Sequence, residues 1–189
     1  MKINKLSDSQ PGIGYQSGDW LPQVVFRLAR ESDLKKIEWD GEYEEYRNVY
    51  ADVFKRTESG LAVMWLAELP GMGLIGQVFV QLKTNQRSTA NGKTRAYVHS
   101  FRVRDAWRGC GLGKQLMDVA EADLLERGFR EVTLNVARNN EGALRLYQRL
   151  GYDIIKEIPG RWSYYDPKKE LKHVVEPGYR MMKRIDQKI

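Results

Sequence analysis

The sequence is poor in the residues that form disulfides and zinc sites, with one cysteine, Cys110, and two histidines among 189 residues. A single thiol forms no disulfide within its own chain. No Cys or His pair has the spacing of a zinc site, so we expect neither a cross-link nor a bound metal. This cysteine usage is typical of a protein from a reducing compartment.

Long apolar runs are also missing from the sequence. Residues 1–23 are polar and contain several glycines, without the apolar segment of a signal peptide, and no later stretch is long enough to span a bilayer. We therefore expect a cytoplasmic protein without a membrane partner. The sequence contains neither internal repeats nor a low-complexity tract.

The charge is positive, with a formal net charge of +6 and a pI of about 9.3. The Lys and Arg residues are spread along the chain, and neither a recognition-helix motif nor an RNA-binding aromatic pattern occurs, so we expect no nucleic-acid partner. A phosphorylated cofactor accounts for a local positive site equally well.

The length and the hydrophobic content of 42% suffice for one buried core. We expect a loose N-terminal leader at 1–23 and a single domain at 24–189. The apolar patterns predict strands at 24–29, 61–69, 74–82, 94–103, 131–137, 152–158 and 179–185. They predict helices at 33–56 with Ser32 as its cap, from 112 to Gly128, and at 143–150, and a long loop at 161–177.

A glycine-rich segment at 108–114, Arg-Gly-Cys-Gly-Leu-Gly-Lys, lies between a predicted strand and an amphipathic helix. Its glycines let backbone N–H groups approach a ligand, and the helix N-terminus adds partial positive charge, so the segment suits a pyrophosphate. It is not a Walker loop, since Arg108 replaces the first Gly and Gln115 the Ser or Thr. Lys114 stands where the dinucleotide fingerprint needs Gly. The alternative is a helix entry whose glycines serve only the turn.

The segment from Arg108 to Gly113 matches the Arg/Gln-x-x-Gly-x-Gly/Ala loop of the GNAT N-acetyltransferases. A second signature of that family has Asn, a helix with Leu-Tyr, then Gly and an aromatic residue. It resembles Asn140, Ala143, Leu146, Tyr147, Gly151 and Tyr152. The resemblance extends over about residues 24–185. It implies a single α/β (α+β) domain with a mixed, mostly antiparallel central sheet, one splayed pair of parallel strands, and helices on both faces.

The resemblance also implies acetyl-coenzyme A as the co-substrate, bound where the two parallel strands splay. Its pantetheine arm would pair with the strand edge through the backbone of Phe101 and Val103, as an added strand does. The phosphate loop, with the side chains of Arg108 and Lys114 adding charge, would bind the pyrophosphate. Its residues are Arg108, Gly109, Cys110, Gly111, Leu112, Gly113 and Lys114.

Tyr147 occupies a position similar to that of the family's general acid, where a phenol donates a proton to the leaving thiolate. Spacing alone fits a core tyrosine equally well. Asn140 would hold the coenzyme arm, or it caps the following helix. Cys110 lies on the phosphate loop, away from the expected thioester, so we interpret it as a small spacer and not as a nucleophile.

The general base departs from the pattern of related protein N-terminal acetyltransferases. Asn135 stands where such enzymes often have Glu or His, and an amide does not accept the proton. His99 resembles a histidine of arylalkylamine acetyltransferases and is our best substitute, acting directly or through water; the alternative is a structural histidine. Glu68 and Tyr97 are poorer candidates. An α-amine with a pKa of about 8 is partly neutral and needs little base.

The acceptor is expected to be a primary amine, with a peptide favoured over a polyamine or aryl amine. An acidic stretch around Glu38 and Glu45 either attracts a cationic amine or forms a solvated helix face. Trp162, Tyr164 and Tyr165 lie in the late loop, where the tyrosine pair resembles peptide-gripping residues of protein N-terminal acetyltransferases. The rival hypothesis is a non-catalytic acyl-coenzyme A binding module. The sequence leaves the oligomeric state open, with a homodimer among the outcomes.

Overall fold

A computed structural model gives the fold of residues 19–186. The main sheet has seven strands in the order β1-β2-β3-β4-β5-β9-β6, and β7 and β8 form a separate hairpin. The strands are β1 (Val25–Leu28), β2 (Ala62–Leu69), β3 (Gly73–Gln81), β4 (Arg95–Val103), β5 (Glu131–Ala137), β6 (Asp153–Ile158), β7 (Arg161–Tyr165), β8 (Leu171–Val175) and β9 (Gly178–Arg184). The α-helices are α1 (Arg47–Glu58), α2 (Leu112–Glu126) and α3 (Glu141–Arg149).

The sheet buries a separate apolar cluster on each face, because side chains alternate along the strands. In β2, Val63 belongs to the cluster that holds α2 and α3, whereas Met64 belongs to the cluster that holds α1. Helices therefore cover both faces, as the sequence predicts. We call these two sides the α2 face and the α1 face.

Among the strands of the described residues, β4 and β5 form the only parallel pair, and this pair separates partway along its length. The pairing runs from Arg95 opposite Glu131 to Val98 opposite Leu134. Beyond this point β4 continues along β3, and β5 continues along β9. A bulge at Ser100, which has a φ of 49°, helps turn β4 away from β5. We call the gap the β4–β5 opening; it is the splayed pair that the family resemblance implies.

The predicted helix at 33–56 is wrong in its first half. Short 3₁₀ turns occupy Glu31–Asp33, Lys36–Glu38 and Glu44–Tyr46, and α1 begins only at Arg47. Trp39 and Asp40 have positive φ values of 47° and 59°, which interrupt any right-handed helix. Ser32 is not the cap either. The carboxylate of Asp33 accepts the bond from the Arg30 N–H instead, at 2.9 Å.

The predicted long loop at 161–177 also differs from the structure, because it contains the antiparallel hairpin of β7 and β8. At the other end of the chain, part of the predicted leader packs against the domain. Trp20 is 3% exposed, and its ring centroid lies 4.6 Å from that of Trp107. Residues 1–18 of that leader lie outside the described residues. Within residues 19–186, no helix has both the length and the apolar character needed to cross a membrane.

Candidate active site

The phosphate loop leads from a 3₁₀ turn at Asp105–Trp107 into α2 on the α2 face of the sheet. Gly109 and Gly111 have φ values of 77° and 89°, in the region that glycine adopts without strain. The first main-chain bond of α2 runs from the Gln115 N–H to the Gly111 carbonyl at 3.1 Å. The amides of residues 112–114 therefore precede the helical ladder and are available to an anion.

Gly113 brings this loop against β4. A Cβ added at Gly113 would lie 3.1 Å from Phe101 Cζ, so a larger residue would push the strand and the helix apart. The Phe101 ring in turn lies 6.1 Å from the Tyr147 ring, centroid to centroid. The loop, the end of β4 and α3 thus meet at the β4–β5 opening.

The charged side chains of the loop have protein partners. Arg108 donates from Nε to the Val103 carbonyl at 2.8 Å and pairs through Nη2 with Asp105 at 2.8 Å. Lys114 pairs with Asp118 at 2.5 Å. The main-chain amides, more than these two side chains, are thus the free anion-binding groups, and the Val103 carbonyl already accepts one hydrogen bond. Cys110 is half-buried, with Sγ 3.5 Å from the Arg108 carbonyl.

Tyr147 is 7% exposed and lies among aromatic rings of the α2 face. Burial, and second to it the nearby Tyr97, raises the pKa of the Tyr147 phenol well above its usual range. Its hydroxyl therefore stays protonated at neutral pH. Asn140 acts as the cap of α3, since its Oδ1 accepts from the Ala143 N–H at 3.0 Å.

His99 lies on the other side of β4, towards α1. Arg56 Nε donates to Gln81 Oε1 at 2.8 Å, which turns the Gln81 amide nitrogen towards His99 Nε2 at 3.3 Å. His99 Nε2 is therefore the acceptor, and Nδ1 carries the proton towards Ser100 Oγ at 3.2 Å. Burial, with the nearby charges of Arg102 and Arg56, lowers the pKa of His99 to about 4. At neutral pH the imidazole is uncharged.

A cavity of about 980 Å³ opens on this α1 face, beside the β4–β5 opening and under the β7–β8 hairpin. Tyr97 and His99 line it with their rings stacked 5.8 Å apart, at an interplanar angle of 9°. Asn135 hydrogen-bonds to the Tyr97 phenol and accepts from Arg180 Nε at 3.1 Å. The position that related enzymes often fill with a base is here an amide within a polar network.

The acidic stretch before α1 forms internal contacts. Glu38 is 1% exposed and accepts from Arg47 at 2.6 and 2.8 Å and from Lys35 at 2.6 Å. These contacts lower the pKa of Glu38 to about 2, with the Arg47 hydrogen bond as the largest cause. Glu45 accepts from the Tyr164 hydroxyl at 2.9 Å. Glu38 is therefore a buried structural carboxylate and not part of an acidic surface, whereas Glu45 is exposed and that part of the predicted acidic surface stays a prediction.

The aromatic residues of the late region lie on β7. Trp162 is a rim residue of the cavity, and the Tyr164 ring lies 5.3 Å from it and 4.9 Å from the Tyr46 ring. Tyr165 is exposed. Sequence reasoning missed Arg102 and Arg180, which also line this cavity. The one sequence signal for these two residues is that each is a charged residue inside a predicted strand.

The family model described as "Acetyltransferase (GNAT) family" matches residues 26–152, which is more than half of the chain. The class defined by the phosphate loop and the β4–β5 opening is thus that of the GNAT acetyltransferases, and the chain belongs to this family. Acetyl-coenzyme A, the expected co-substrate, agrees with the family. Within residues 19–186, no group of three metal-binding side chains occurs.

Two relatives are similar in sequence. An uncharacterized N-acetyltransferase of Methanocaldococcus jannaschii is 30% identical over 86% of this chain and 61% of its own length. The N-alpha-acetyltransferase MAK3 of Arabidopsis thaliana is 37% identical over 38% of this chain and 36% of its own. The matches thus span less than two thirds of either relative. The structure of Arabidopsis thaliana NAA60 in complex with acetyl-CoA has the same fold, with a TM-score of 0.64, 21% identity, and coverage of 87% of this chain and 99% of that one.

Proposed function

We propose that this protein transfers the acetyl group of acetyl-coenzyme A to a primary amine, by direct attack of the amine within a ternary complex. The observation that carries the proposal is the β4–β5 opening with the phosphate loop on one face and a large cavity on the other. A donor bound along the loop and an acceptor bound in the cavity would meet at this gap. Such positioning is a main source of rate in group transfer.

The donor would be held by main-chain groups. The amides of the phosphate loop bind its pyrophosphate, and the backbone of Phe101 and Val103 pairs with its amide-containing arm, because β5 has left this edge of β4. The Val103 carbonyl on that edge already accepts a hydrogen bond from Arg108 Nε, so the coenzyme arm would share it. Asn140 stabilises the start of α3 and so keeps Tyr147 in position.

Tyr147 supplies the proton that the departing thiolate needs. As the amine nitrogen forms its bond to the acetyl carbon and the C–S bond breaks, the phenol donates to the sulfur. The hydroxyl is protonated at neutral pH, so the proton is present when the thiolate forms; the raised pKa makes the phenol a weaker acid than a free tyrosine. Tyr97, the second cause of that raised pKa, lies close to it and is hydrogen-bonded to Asn135.

His99 is the proposed acceptor of the proton that leaves the amine. Its Nε2 lone pair receives the Gln81 N–H, so the Gln81 amide would have to turn away before Nε2 takes the proton, directly or through water. A pKa of about 4 makes His99 a weak base that returns the proton to solvent quickly. This strength suits an α-amine, which is partly neutral before it binds. The peptide N-terminus is therefore our preferred acceptor over a lysine or a small amine.

The N-alpha-acetyltransferase named among the relatives agrees with a peptide acceptor. The domain at 24–189 and the cytoplasmic location remain part of this proposal. The competing function is an acyl-coenzyme A binding module without turnover, in which the loop serves binding alone.

The experiment is a thiol-release assay with acetyl-coenzyme A and a panel of peptide N-termini, lysine peptides and small amines, with mass spectrometry of the products. We expect one acetylated amine for each free thiol that is released. Double-reciprocal plots of initial velocity, with both substrates varied, should give intersecting lines. Cys110→Ser is the control for a covalent acetyl-enzyme and should retain turnover. Coenzyme binding without thiol release for every amine would favour the binding module and refute the enzyme.

A further inference from the structure

The cavity on the α1 face is lined by cations that have no acidic partner. Within residues 19–186, none of these side chains forms an ion pair with Asp or Glu, unlike cations such as Arg27, Arg95 and Lys183. We call them the cavity cations: Arg56, Arg102, Lys156, Arg161 and Arg180. One carboxylate, Glu176, lines the same space. The positive charge of the cavity is therefore in excess.

Arg180 is the clearest case. It is 6% exposed, lies on β9 opposite Asn135, and uses Nε to donate to the neutral Asn135 Oδ1 at 3.1 Å. A guanidinium has five N–H donors, and a buried charge without a counter-charge is strongly unfavourable. An anionic ligand at the other donors would compensate it, with the planar two-bond geometry that suits a carboxylate.

Neutral groups orient the other two arginines near the opening. Arg102 donates to the Tyr50 hydroxyl at 2.6 Å and lies over the Tyr43 ring, 3.9 Å from its centroid. Arg56 donates to Gln81 Oε1 and to the Lys83 carbonyl. These contacts fix each guanidinium without neutralising it, which is the arrangement of an anion-binding site that is formed before its ligand arrives.

We propose that the acceptor carries a carboxylate close to its reactive amine, and that Arg180 binds this carboxylate with Arg102 as the second cation. The inference rests on the proposed function, since it names the class of acceptor that the same cavity takes. The carboxylate belongs either to a free amino acid or to an acidic side chain near the N-terminus of a peptide. A polyamine, which lacks an anionic group, is disfavoured by the same charges.

The test compares acceptors that differ only by carboxylate and carboxamide: glutamate with its diamide, and Asp-containing with Asn-containing N-terminal peptides. We expect kcat/KM at saturating acetyl-coenzyme A to be at least about tenfold higher for the carboxylate member. The free amino acid pair and the peptide pair separate the two sources. Equal rates within both pairs, or a preference for polyamines, would overturn the inference while leaving acetyl transfer intact.

The variant Arg180→Gln should lower kcat/KM for the carboxylate acceptor about 10- to 100-fold and leave the carboxamide acceptor within about twofold. Arg184→Gln is the matched control. It removes the same charge from the same strand at an exposed residue that pairs with Asp186, and should leave both rates unchanged. Equal losses for both acceptors in Arg180→Gln would refute the carboxylate contact.

A binding measurement keeps the inference testable without turnover. The side-chain Nε–Hε resonance of Arg180, assigned by its loss in Arg180→Gln, is followed during titration with N-acetylglutamate and with its diamide. A shift with the carboxylate probe alone supports the site. A resonance that responds equally to both probes, or to neither, overturns it. Failure of acetyl transfer itself would appear separately, as the absence of thiol release with every amine.

Discussion

The Tyr147 phenol combines two properties at the residue scale: it is nearly buried, and it faces the Phe101 ring at the end of β4. The packing accounts for its place in the core, and the hydroxyl stays protonated at neutral pH, as a proton donor must. Spacing in the sequence does not distinguish these two roles, and the structure is compatible with both. A substitution that keeps the ring and removes the hydroxyl separates them.

Tyr147→Phe should retain coenzyme affinity and lower kcat at least about tenfold, because it removes the proton donor and keeps the packed ring. Calorimetry with coenzyme A and steady-state thiol release are the two measurements. Unchanged turnover would leave Tyr147 with a packing role alone. A large loss of coenzyme affinity would point to a binding role.

His99 should titrate near pH 4, well below its ordinary 6.5, because burial and two arginines disfavour its charged form. Between these values the unfolded chain binds more protons than the folded one, so this histidine lowers stability as pH falls from 6.5 to 4. NMR of the imidazole carbon, assigned with His99→Gln, measures the pKa. Urea unfolding should show a smaller loss of stability over this range in the variant. A titration near 6.5 would contradict the neutral, buried imidazole.

At the scale of the element, the proposed donor site depends on the phosphate loop and α2. Gly111→Glu should abolish coenzyme binding, because it adds a carboxylate beside the amides proposed to hold the pyrophosphate. Gly111→Ala is the matched control: it carries the same strain of a positive φ, about 1–2 kcal/mol, and its Cβ would make an ordinary 3.7 Å contact with Leu21. Calorimetry should show binding by the Ala variant alone. Normal affinity of the Glu variant would place the pyrophosphate elsewhere.

Most elements were predictable because their local patterns agree with their tertiary environment. The strand at 131–137 matches β5 in both bounds, and Gly128 has the positive φ expected of a residue after a helix. The β4–β5 opening was accessible only through the family resemblance, since periodicity does not reveal where two strands separate.

Two segments escaped prediction for physical reasons. The helical pattern before α1 is interrupted because Trp39 and Asp40 have left-handed backbone conformations. Neither residue type requires this conformation, so the sequence does not predict it. The hairpin of β7 and β8 has mostly exposed side chains, so it lacks the apolar alternation that marks a strand. Whether Arg180 has an acidic partner depends on which Asp and Glu side chains lie near it in the fold. This is a property of the tertiary structure alone.

At the scale of the whole molecule, part of the net charge of +6 lies in the cavity, whose lining has five Lys or Arg side chains and one carboxylate. Carboxylates of the segment before α1 are used in internal pairs such as Glu38 with Arg47, whereas the cavity cations have none. The basic composition therefore fits a locally charged binding site, without the need for a nucleic-acid partner.

Glu38→Gln should destabilise the fold by about 1–3 kcal/mol at neutral pH, because it removes a buried charged acceptor that receives hydrogen bonds from Arg47 and Lys35. The folded-state pKa of Glu38, about 2, is depressed from 4.5, so its contribution is present above 4.5 and is lost as pH falls towards 2. Urea unfolding at pH 7, 4 and 3 should show that the difference in unfolding free energy between wild type and variant becomes smaller as the pH falls. A difference in unfolding free energy that does not change with pH would contradict a stabilising role of the Glu38 charge.

The β4–β5 opening also has a consequence for how this protein can be altered. In the proposed function, donor recognition relies on backbone amides of one face, while the side chains that would select an acceptor belong to the opposite face. Exchanging the cavity lining would then redirect the catalyst to new amines without retuning its affinity for the cofactor. Donor specificity and acceptor specificity would then depend on separate sets of residues that meet only at the β4–β5 opening, so each could be engineered independently.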